Sequence, residues 1–283
     1  MKRFTILILT VFAFFVGCSS GEWPVSGSKW VSMRPSRVRS LVKSGAGVNE
    51  RLGDLRVLDL AAAYSKNPEV IEALIKAGAD IDAVDEYGRT ALFRAAAWNK
   101  NPKVIKALIA CGANVNARQY DESTALFEAA GWNDDPDIVN TLLAAGADPN
   151  AKNDLGESAL FSAIIFNDNP HVARALLAGG ADPNDKADDG ETTLMNAARF
   201  GSIDNVNALL EAGAEVNTRN SKGYTALMRA AWNDNPEVTI ALIAAGADAN
   251  AQADDGSTAL SITLITDPDN REKIQALINA GGN

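Results

Sequence analysis

The sequence predicts an all-α protein built as a solenoid of about seven to eight stacked helix–turn–helix units. Three observations support this prediction: two ladders of residues recur at a period of 33 to 34, aromatic residues make up only 6% of the chain, and alanine is abundant. A composition rich in alanine and poor in aromatic residues favours small-residue helix packing over a β-sandwich. Repetition at a period of a few tens of residues indicates units that bury their apolar faces against their neighbours.

The two ladders are a leucine and a glycine that keep the same spacing. Successive leucines lie 34, 34, 34, 34, 33 and 33 residues apart, namely Leu58, Leu92, Leu126, Leu160, Leu194, Leu227 and Leu260. The glycines are Gly45, Gly78, Gly112, Gly146, Gly180, Gly213, Gly246 and Gly281. Because the ladders stay in phase, one structural unit repeats through nearly the whole chain.

Each unit is predicted to begin with a short helix. A threonine or serine two residues before the leucine is a natural N-cap, and an alanine-rich helical stretch follows it. The helix ends at an aromatic residue, as in the stretch "WNDNPEV" at 232–238. The predicted caps are Thr90, Thr124, Ser158, Thr225 and Thr258.

The second helix of each unit has its own start signal. Asn or Asp directly precedes a proline, which is favoured at the first helical position because its missing N–H would have no partner there. These cap residues are Asn67, Asn101, Asp135, Asn169 and Asn235. The helix ends at a Gly-Ala pair, where glycine takes the left-handed C-cap conformation. Polar residues rich in Asp, Asn and Gly then predict a hairpin-like turn.

This unit resembles the ankyrin repeat, whose motif begins T-P-L-H and ends G-A-D-x-N. The segments "GADIDA", "GANVNA", "GADPNA" and "GADANA" match the end of the motif. The start departs from it, because alanine replaces the proline and Phe93 or Met195, for example, replaces the histidine. The resemblance covers residues 35–283. It implies an ankyrin-repeat solenoid, with helix–turn–helix units joined by β-hairpin-like turns, that binds other proteins.

The aromatic residues that end the first helices allow two interpretations. They line a repeated binding site, or they form a structural ladder at the joint of each unit. We favour the structural ladder because these residues recur in equivalent places, whereas a binding site usually differs from repeat to repeat. The residues are Tyr64, Trp98, Trp132, Phe166, Phe200 and Trp232.

The terminal units are predicted to be caps. Pro35 stands at the same offset from Leu41 as Pro68 from Leu74, which indicates a degenerate first unit. We expect Trp23 and Trp30 to pack over its open end, and the last unit has the polar outer face that a C-terminal cap needs.

The N-terminus predicts export. Lys2 and Arg3 precede about 11 apolar residues, whereas a membrane-spanning helix needs about 20. The stretch "VGC" resembles the lipobox of bacterial lipoproteins, with Phe15 in place of the usual leucine. That resemblance implies that Cys18 becomes the first residue and carries acyl chains such as palmitate. An ordinary signal peptide is the alternative.

The expected organisation follows from these features. Residues 1–17 form a lipoprotein-type signal peptide, residues 18–34 a lipidated N-terminus with a short linker or degenerate first helix, and residues 35–283 the ankyrin-repeat domain. Ser19 resembles the residue that sorts such proteins to an outer membrane. We therefore expect a protein of the bacterial cell envelope, lipid-anchored and facing the periplasm.

Few residues could support catalysis. The chain has one histidine, His171, and two cysteines, and Cys111 occupies a position held elsewhere by alanine or glycine, where we expect a small buried side chain. The pairs Asp188–Asp189 and Asp254–Asp255 precede turn glycines and are typical of turn formers. The sequence therefore predicts no catalytic residue, no metal site, no cofactor and no enzyme. A net charge of −10 argues against nucleic acid as a partner.

Variation among equivalent positions suggests a binding face. The turn tips and the exposed positions of the first helices differ from unit to unit, and the ankyrin resemblance implies that these two regions form the surface that binds partners. Tyr and Arg are frequent hot-spot residues at protein interfaces. The candidate partner-binding residues are Tyr87, Arg89, Arg94, Tyr120, Tyr224 and Arg229.

The favoured function is a membrane-anchored, non-catalytic protein–protein interaction module, an adaptor or accessory factor for another protein, and we expect it to be a monomer. An inhibitor or immunity-type protein that neutralises an enzyme or toxin also fits. An exported effector is a further alternative, although a lipobox-like cysteine would retain the protein at its own membrane.

Overall fold

The computed structural model describes residues 22–282 and shows two layers of antiparallel helices in eight units. The first helix of each unit is short and rich in small residues. The first helices are α1 (Gly27–Val31), α3 (Val57–Tyr64), α5 (Ala91–Trp98), α7 (Ala125–Trp132), α9 (Ala159–Phe166), α11 (Thr193–Phe200), α13 (Ala226–Ala230) and α15 (Ala259–Thr266).

The second helices form the other layer. They are α2 (Pro35–Lys43), α4 (Pro68–Lys76), α6 (Pro102–Ala110), α8 (Pro136–Ala144), α10 (Pro170–Ala178), α12 (Ile203–Glu211), α14 (Pro236–Ala244) and α16 (Arg271–Asn279). Each first helix contacts the first helix of the next unit, and the second helices do the same. The predicted solenoid is therefore confirmed, with a core of leucine, valine, isoleucine and alanine between the layers.

The predicted caps explain where the helices begin and end. The Asn or Asp before each proline accepts a hydrogen bond from the backbone N–H two residues later, as Asn101 does from Lys103 at 3.1 Å. The glycine after each second helix has a positive φ, for example +96° at Gly78. Thr124, Thr225 and Thr258 cap their helices by side-chain hydrogen bonds. Thr90 and Ser158 occupy the N-cap position without that bond.

Most of the connecting turns lack the paired strands of a full β-hairpin. Within residues 22–282 paired strands occur only at β1 (Arg51–Leu52) and β2 (Leu55–Arg56), with isolated bridges from Arg118 to Thr124 and from Lys186 to Thr192. The tips are joined instead to each other by backbone hydrogen bonds of 2.9–3.1 Å. These bonds run from Tyr120 to Tyr87, Asp154 to Asp121, Asp188 to Leu155, Ser221 to Asp189 and Asp254 to Lys222.

A buried asparagine after the aromatic residue joins consecutive units. The Asn133 side chain donates to the carbonyls of Ala96 and Asn99 in the preceding unit, both at 2.9 Å, and accepts from the N–H of Asp135 in its own unit. Asn99, Asn167 and Asn233 make the same bridge. The repeated "WN" pair thus combines a helix end with an inter-unit connection.

Both ends of the solenoid are closed by specific side chains. Trp23 and Trp30 are buried at the N-terminal end as predicted, with ring centroids 6.1 Å apart. Their indole N–H groups donate to the carbonyls of Gly47 and Pro24. At the other end the buried Lys273 ammonium reaches the carbonyls of Ala231 and Asn233, where an asparagine amide would otherwise donate.

Two expectations need correction. Trp232 is not in the same register as the other aromatic residues, because its unit is one residue shorter and α13 ends at Ala230. Cys111 is half-buried instead of fully buried, because it stands at the C-cap of α6, where the helix ends. Burial still raises the pKa of its thiol.

None of the helices in residues 22–282 has the length and apolar character needed to span a bilayer.

Candidate functional site

The face formed by the first helices and the turn tips carries three rows of side chains, and we call it the first-helix face. The tip row comprises the turn residues from Tyr87 to Asp255. The middle row is Arg94, Glu128, Ser162, Asn196 and Arg229. The aromatic row is Tyr64, Trp98, Trp132, Phe166 and Phe200. Each of the last four stands four residues after a middle-row residue and therefore lies on the same side of its helix.

One cluster at the N-terminal part of this face is organised by Asp85. This buried carboxylate accepts hydrogen bonds from the backbone N–H groups of Tyr87 and Arg89 at 2.9 and 3.0 Å. It also pairs with the Arg89 Nε at 2.9 Å and an Arg94 terminal nitrogen at 2.6 Å. The Arg89 guanidinium lies 4.4 Å from the Tyr87 ring centroid. Asp85 therefore fixes both arginines and, through Arg89, the exposed tyrosine ring.

The ionisation of Asp85 reflects these contacts. Burial by itself would raise the pKa of this carboxyl. The backbone hydrogen bonds from Arg89 and Tyr87, together with the charge of Arg89, outweigh burial and lower the pKa below its ordinary value of 3.8. Asp85 is consequently charged at neutral pH and holds the cluster together.

Tyr120 lies beside this cluster on the next tip. Its backbone N–H donates to the carbonyl of Tyr87 at 3.0 Å, and its ring packs where a Cβ on Gly88 would stand. The Tyr87 side chain is 55% exposed and that of Tyr120 is 73% exposed. The two tyrosines thus form one accessible aromatic patch on adjacent tips.

A second cluster lies three to four units further along. Arg229 forms an ion pair with Glu191 of the preceding unit, and both side chains are largely buried. The Arg229 guanidinium lies 4.7 Å from the Tyr224 ring centroid and 5.7 Å from that of Trp232. The Tyr224 hydroxyl donates to Asp255 at 3.1 Å. Tyr224 is half-buried here, so this cluster also holds neighbouring units together.

Glu128 is the middle-row residue next to the first cluster. Burial raises the pKa of this carboxyl above its ordinary value of 4.5, although the charges of Arg89 and Arg94 and a hydrogen bond from Gln119 act in the opposite direction. The Gln119 amide nitrogen lies 3.2 Å from the Glu128 carboxylate. The first-helix face therefore holds a carboxylate whose negative charge is incompletely compensated.

The aromatic row is far more exposed than a purely structural ladder requires. The exposed fractions of its five side chains range from 40% at Trp132 to 58% at Phe200. Only one neighbouring pair stacks, Trp132 on Phe166, with ring centroids 5.4 Å apart and planes inclined by 15°. Gly131 permits the close approach of α7 to α9, because a Cβ there would stand 2.5 Å from the Ser162 hydroxyl.

A shallow groove surrounds the stacked pair. Its lining includes Trp132, Phe166, Asp134, Asp168 and His171. Asp134 pairs with Lys100 of the preceding unit, whereas Asp168 is exposed and has no ion-pair partner within residues 22–282. Aromatic rings beside carboxylates suit a ligand that combines a flat surface with positive charge.

The structure brings Tyr87, Arg89, Arg94 and Tyr120 into one cluster, and Tyr224 and Arg229 into another. The internal partners of the arginines, Asp85 and Glu191, were not predictable from the sequence, because these contacts depend on the fold. A framework role was favoured for Trp132 and Phe166 and a binding role was left open; their exposed fractions show that both are accessible. The predicted lipidation site, Cys18, lies outside the described residues.

The acidic pairs lie in the turns between units. Asp189 and Asp255 accept backbone hydrogen bonds from residues two positions later, Glu191 and Ser257, as turn-forming aspartates do. Within residues 22–282 no three His, Cys, Asp or Glu side chains are grouped as metal ligands.

Known proteins share the repeat architecture of this chain. A family model described as "Ankyrin repeats (3 copies)" matches four overlapping stretches, at residues 35–119, 58–153, 126–220 and 160–253. The crystal structure of the human ASB11 ankyrin repeat domain is similar, with 27% sequence identity and a TM-score of 0.69. That alignment covers 80% of this chain and 98% of the human domain. No curated protein matches the chain significantly by sequence.

Proposed function

The chain belongs to the ankyrin-repeat family, and on that premise we propose that it is a non-catalytic protein–protein interaction module tethered to a bacterial membrane. Ankyrin repeats support binding to another protein. We further propose that the protein is tethered through Cys18, binds its partner through the first-helix face and acts as an adaptor.

The observation that carries the proposed site is the exposed aromatic surface of the first-helix face. Tyr87, Tyr120 and the residues of the aromatic row are 40–73% exposed, while internal ion pairs and cation–π contacts hold the neighbouring arginines. Side chains that are already ordered lose less conformational entropy when a partner binds. Large, ordered aromatic side chains are also the usual anchors of protein interfaces.

The size of the face is sufficient for a specific complex. The tip-to-tip hydrogen bonds make the tip row continuous over at least six units. A specific interface buries about 800 Å² on each partner, which a surface spanning several units can supply. Arg94 and Arg229 are less than one-fifth exposed, so we assign them to positioning the tyrosines and leave the main contacts to Tyr87 and Tyr120.

The tether is proposed from the N-terminal sequence. Residues 1–17 would be removed, Cys18 would carry the lipid, and residues 18–34 would lead into the repeats at 35–283 of the cell-envelope protein. Only four residues separate Cys18 from the buried Trp23, so the solenoid would lie close to the membrane.

The binding site is tested by capturing partners from membranes with the wild-type protein and with variants. Tyr87→Ala combined with Tyr120→Ala should weaken capture, and the thermal unfolding should change little because both rings are exposed. Lys103→Ala and Glu237→Ala, on second helices, are the controls. If the control changes abolish capture and the tyrosine changes are silent, the site lies on the second-helix layer.

The tether is tested separately by Cys18→Ser. This variant should accumulate unprocessed or leave the membrane fraction, and mass spectrometry of the wild-type mature protein should show an acylated N-terminal cysteine. A mature N-terminus without acyl chains would refute lipidation.

A further inference from the structure

We propose that the N-terminal part of the aromatic row, from Tyr64 to Phe166, binds arginine side chains of an extended segment of the partner. The proposal rests on partner binding at the first-helix face and assigns the chemistry that this face recognises.

The molecule itself contains the contact that we propose. In the C-terminal part of the face, the Arg199 guanidinium lies 4.7 Å from the Phe200 ring centroid and 5.4 Å from that of Trp232. One arginine therefore occupies the space between aromatic rings of two consecutive units. Arg229 lies similarly close to Tyr224 and Trp232, two rings of its own unit whose centroids are 6.1 Å apart.

The N-terminal part of the row has equivalent rings without a cation. Within the described residues no lysine or arginine lies over Tyr64, Trp98, Trp132 or Phe166, although their exposed fractions are 40–48%. Phe166 covers one face of Trp132, and no other aromatic ring of the described residues stacks on it. Neighbouring helix axes lie about 8–10 Å apart, which leaves room for one flat group between successive rings that do not stack on each other, as at Tyr64, Trp98 and Trp132.

Charge complementarity selects a cationic occupant. Glu128 stands one helical turn before Trp132, and Asp134 and Asp168 line the groove beside the stacked pair. Lys100 also lines this groove and is paired with Asp134, whereas Asp168 has no ion-pair partner in residues 22–282. Burial raises the pKa of Glu128, although the charges of Arg89 and Arg94 lower it. The whole chain carries a net charge of −10.

The flat space between rings favours arginine over lysine. The guanidinium is planar, weakly hydrated and able to stack on an aromatic face while donating hydrogen bonds at its edge to a carboxylate. A lysine ammonium is compact and strongly hydrated, so its insertion between rings costs more desolvation. A segment carrying arginines at intervals could therefore place one guanidinium at each open ring.

The test uses three synthetic peptides of one Gly/Ser-rich sequence that carry either three arginines, three lysines, or three citrullines, the neutral isostere of arginine. Binding to the full mature protein is followed by NMR of the indole N–H groups of Trp98 and Trp132. The arginine peptide should shift these two signals, the lysine peptide should bind several-fold more weakly, and the citrulline peptide should bind weakest.

Two variants locate the contact. Trp98→Leu keeps an apolar side chain but removes the aromatic face, and it should weaken arginine-peptide binding about three- to thirtyfold. Asp168→Asn removes one charge at constant shape and should weaken it by a smaller factor. Glu72→Gln, an exposed change on the second helix α4, is the matched control and should have no effect.

Several results would overturn the proposal. These are equal binding of the citrulline peptide, unchanged arginine-peptide binding in Trp98→Leu, or no indole shift at millimolar peptide. A neutral oligosaccharide that shifts both indoles when the arginine peptide does not would assign the row to sugars. If Tyr87→Ala with Tyr120→Ala blocks a partner's capture but Trp98→Leu does not, the proposed function stands and the arginine site fails.

Discussion

Single asparagines connect the units of this solenoid to each other. The Asn133 side chain is fully buried, and its amide bridges two backbone carbonyls of the preceding unit and one N–H of its own. All of its hydrogen-bonding groups are therefore used where water cannot replace them.

Glu128 is a residue whose charge opposes folding, because burial raises its pKa.

Asn133→Ala should lower the free energy of unfolding by about 2–4 kcal/mol, because two buried carbonyls lose their donor. Urea unfolding followed by circular dichroism measures the change. Asn196→Ala is the matched control, since the Asn196 amide makes only a long, 3.4 Å contact within its own helix. Equal effects of the two substitutions would show that the Asn133 bridge adds nothing to the free energy of unfolding.

Glu128→Gln should raise stability at pH 7. The folded-state pKa lies above the unfolded value near 4.5, so the stability associated with the protonated carboxyl is complete below that value and is lost as the pH rises through the folded pKa. The difference in Tm between variant and wild type should therefore shrink as the pH falls towards 4. A destabilising Glu128→Gln at pH 7 would contradict the assignment.

Helices and turns were predictable where local chemistry determines them. The Asn-Pro pairs and the glycines predicted closely where the second helices begin and end. Trp98 and Trp132 each end their first helix, as predicted. The exposure of those rings and the partners of Arg94 and Arg229 were not predictable, because they depend on residues about ten to forty positions away. The short helix α13 was also missed, since one deleted residue changes register without altering the motif.

The last unit illustrates how an element compensates for a departure from the repeat. Lys273, on α16, places its ammonium at the carbonyls of Ala231 and Asn233 and pairs with Asp267 at 3.0 Å. It thus replaces the asparagine that earlier units carry. The hydrogen bond from Lys273 also lowers the pKa of the Asp267 carboxyl.

Lys273→Met should destabilise the C-terminal unit by about 2–4 kcal/mol, because the carbonyls and Asp267 lose their partner while the side-chain volume is kept. Native-state hydrogen exchange would localise the loss to α15 and α16. Lys106→Met, an exposed change on α6, should be nearly neutral. A loss spread evenly over all units would argue against a local capping role.

At the scale of the whole molecule, stability depends on neighbouring units and on closed ends. Within residues 22–282 the main helix contacts join neighbouring units, so the first described unit has a neighbouring unit on one side only. Trp23 and Trp30 fill that position with fully buried, stacked rings. The solenoid is therefore closed by two large aromatic side chains that the repeat itself does not supply.

Trp30→Ala should lower the free energy of unfolding by about 3–5 kcal/mol, as expected for removing a buried aromatic ring. Hydrogen exchange should accelerate first in α1 to α4. Trp98→Ala, the same substitution at a half-exposed position, should cost less than about half as much. Similar costs for both would mean that Trp30 is not a cap.

The tip-to-tip bonds and the asparagine bridges have a mechanical consequence. Several junctions between units in residues 22–282 carry nearly the same set of hydrogen bonds, and the main helix contacts there join neighbouring units. A force applied at the two ends would therefore peel off one unit at a time, starting at whichever junction is weakest. Each event would release 33 or 34 residues, an extension on the order of 100 Å. The protein would behave as a tether that lengthens in equal steps and rewinds when the load falls.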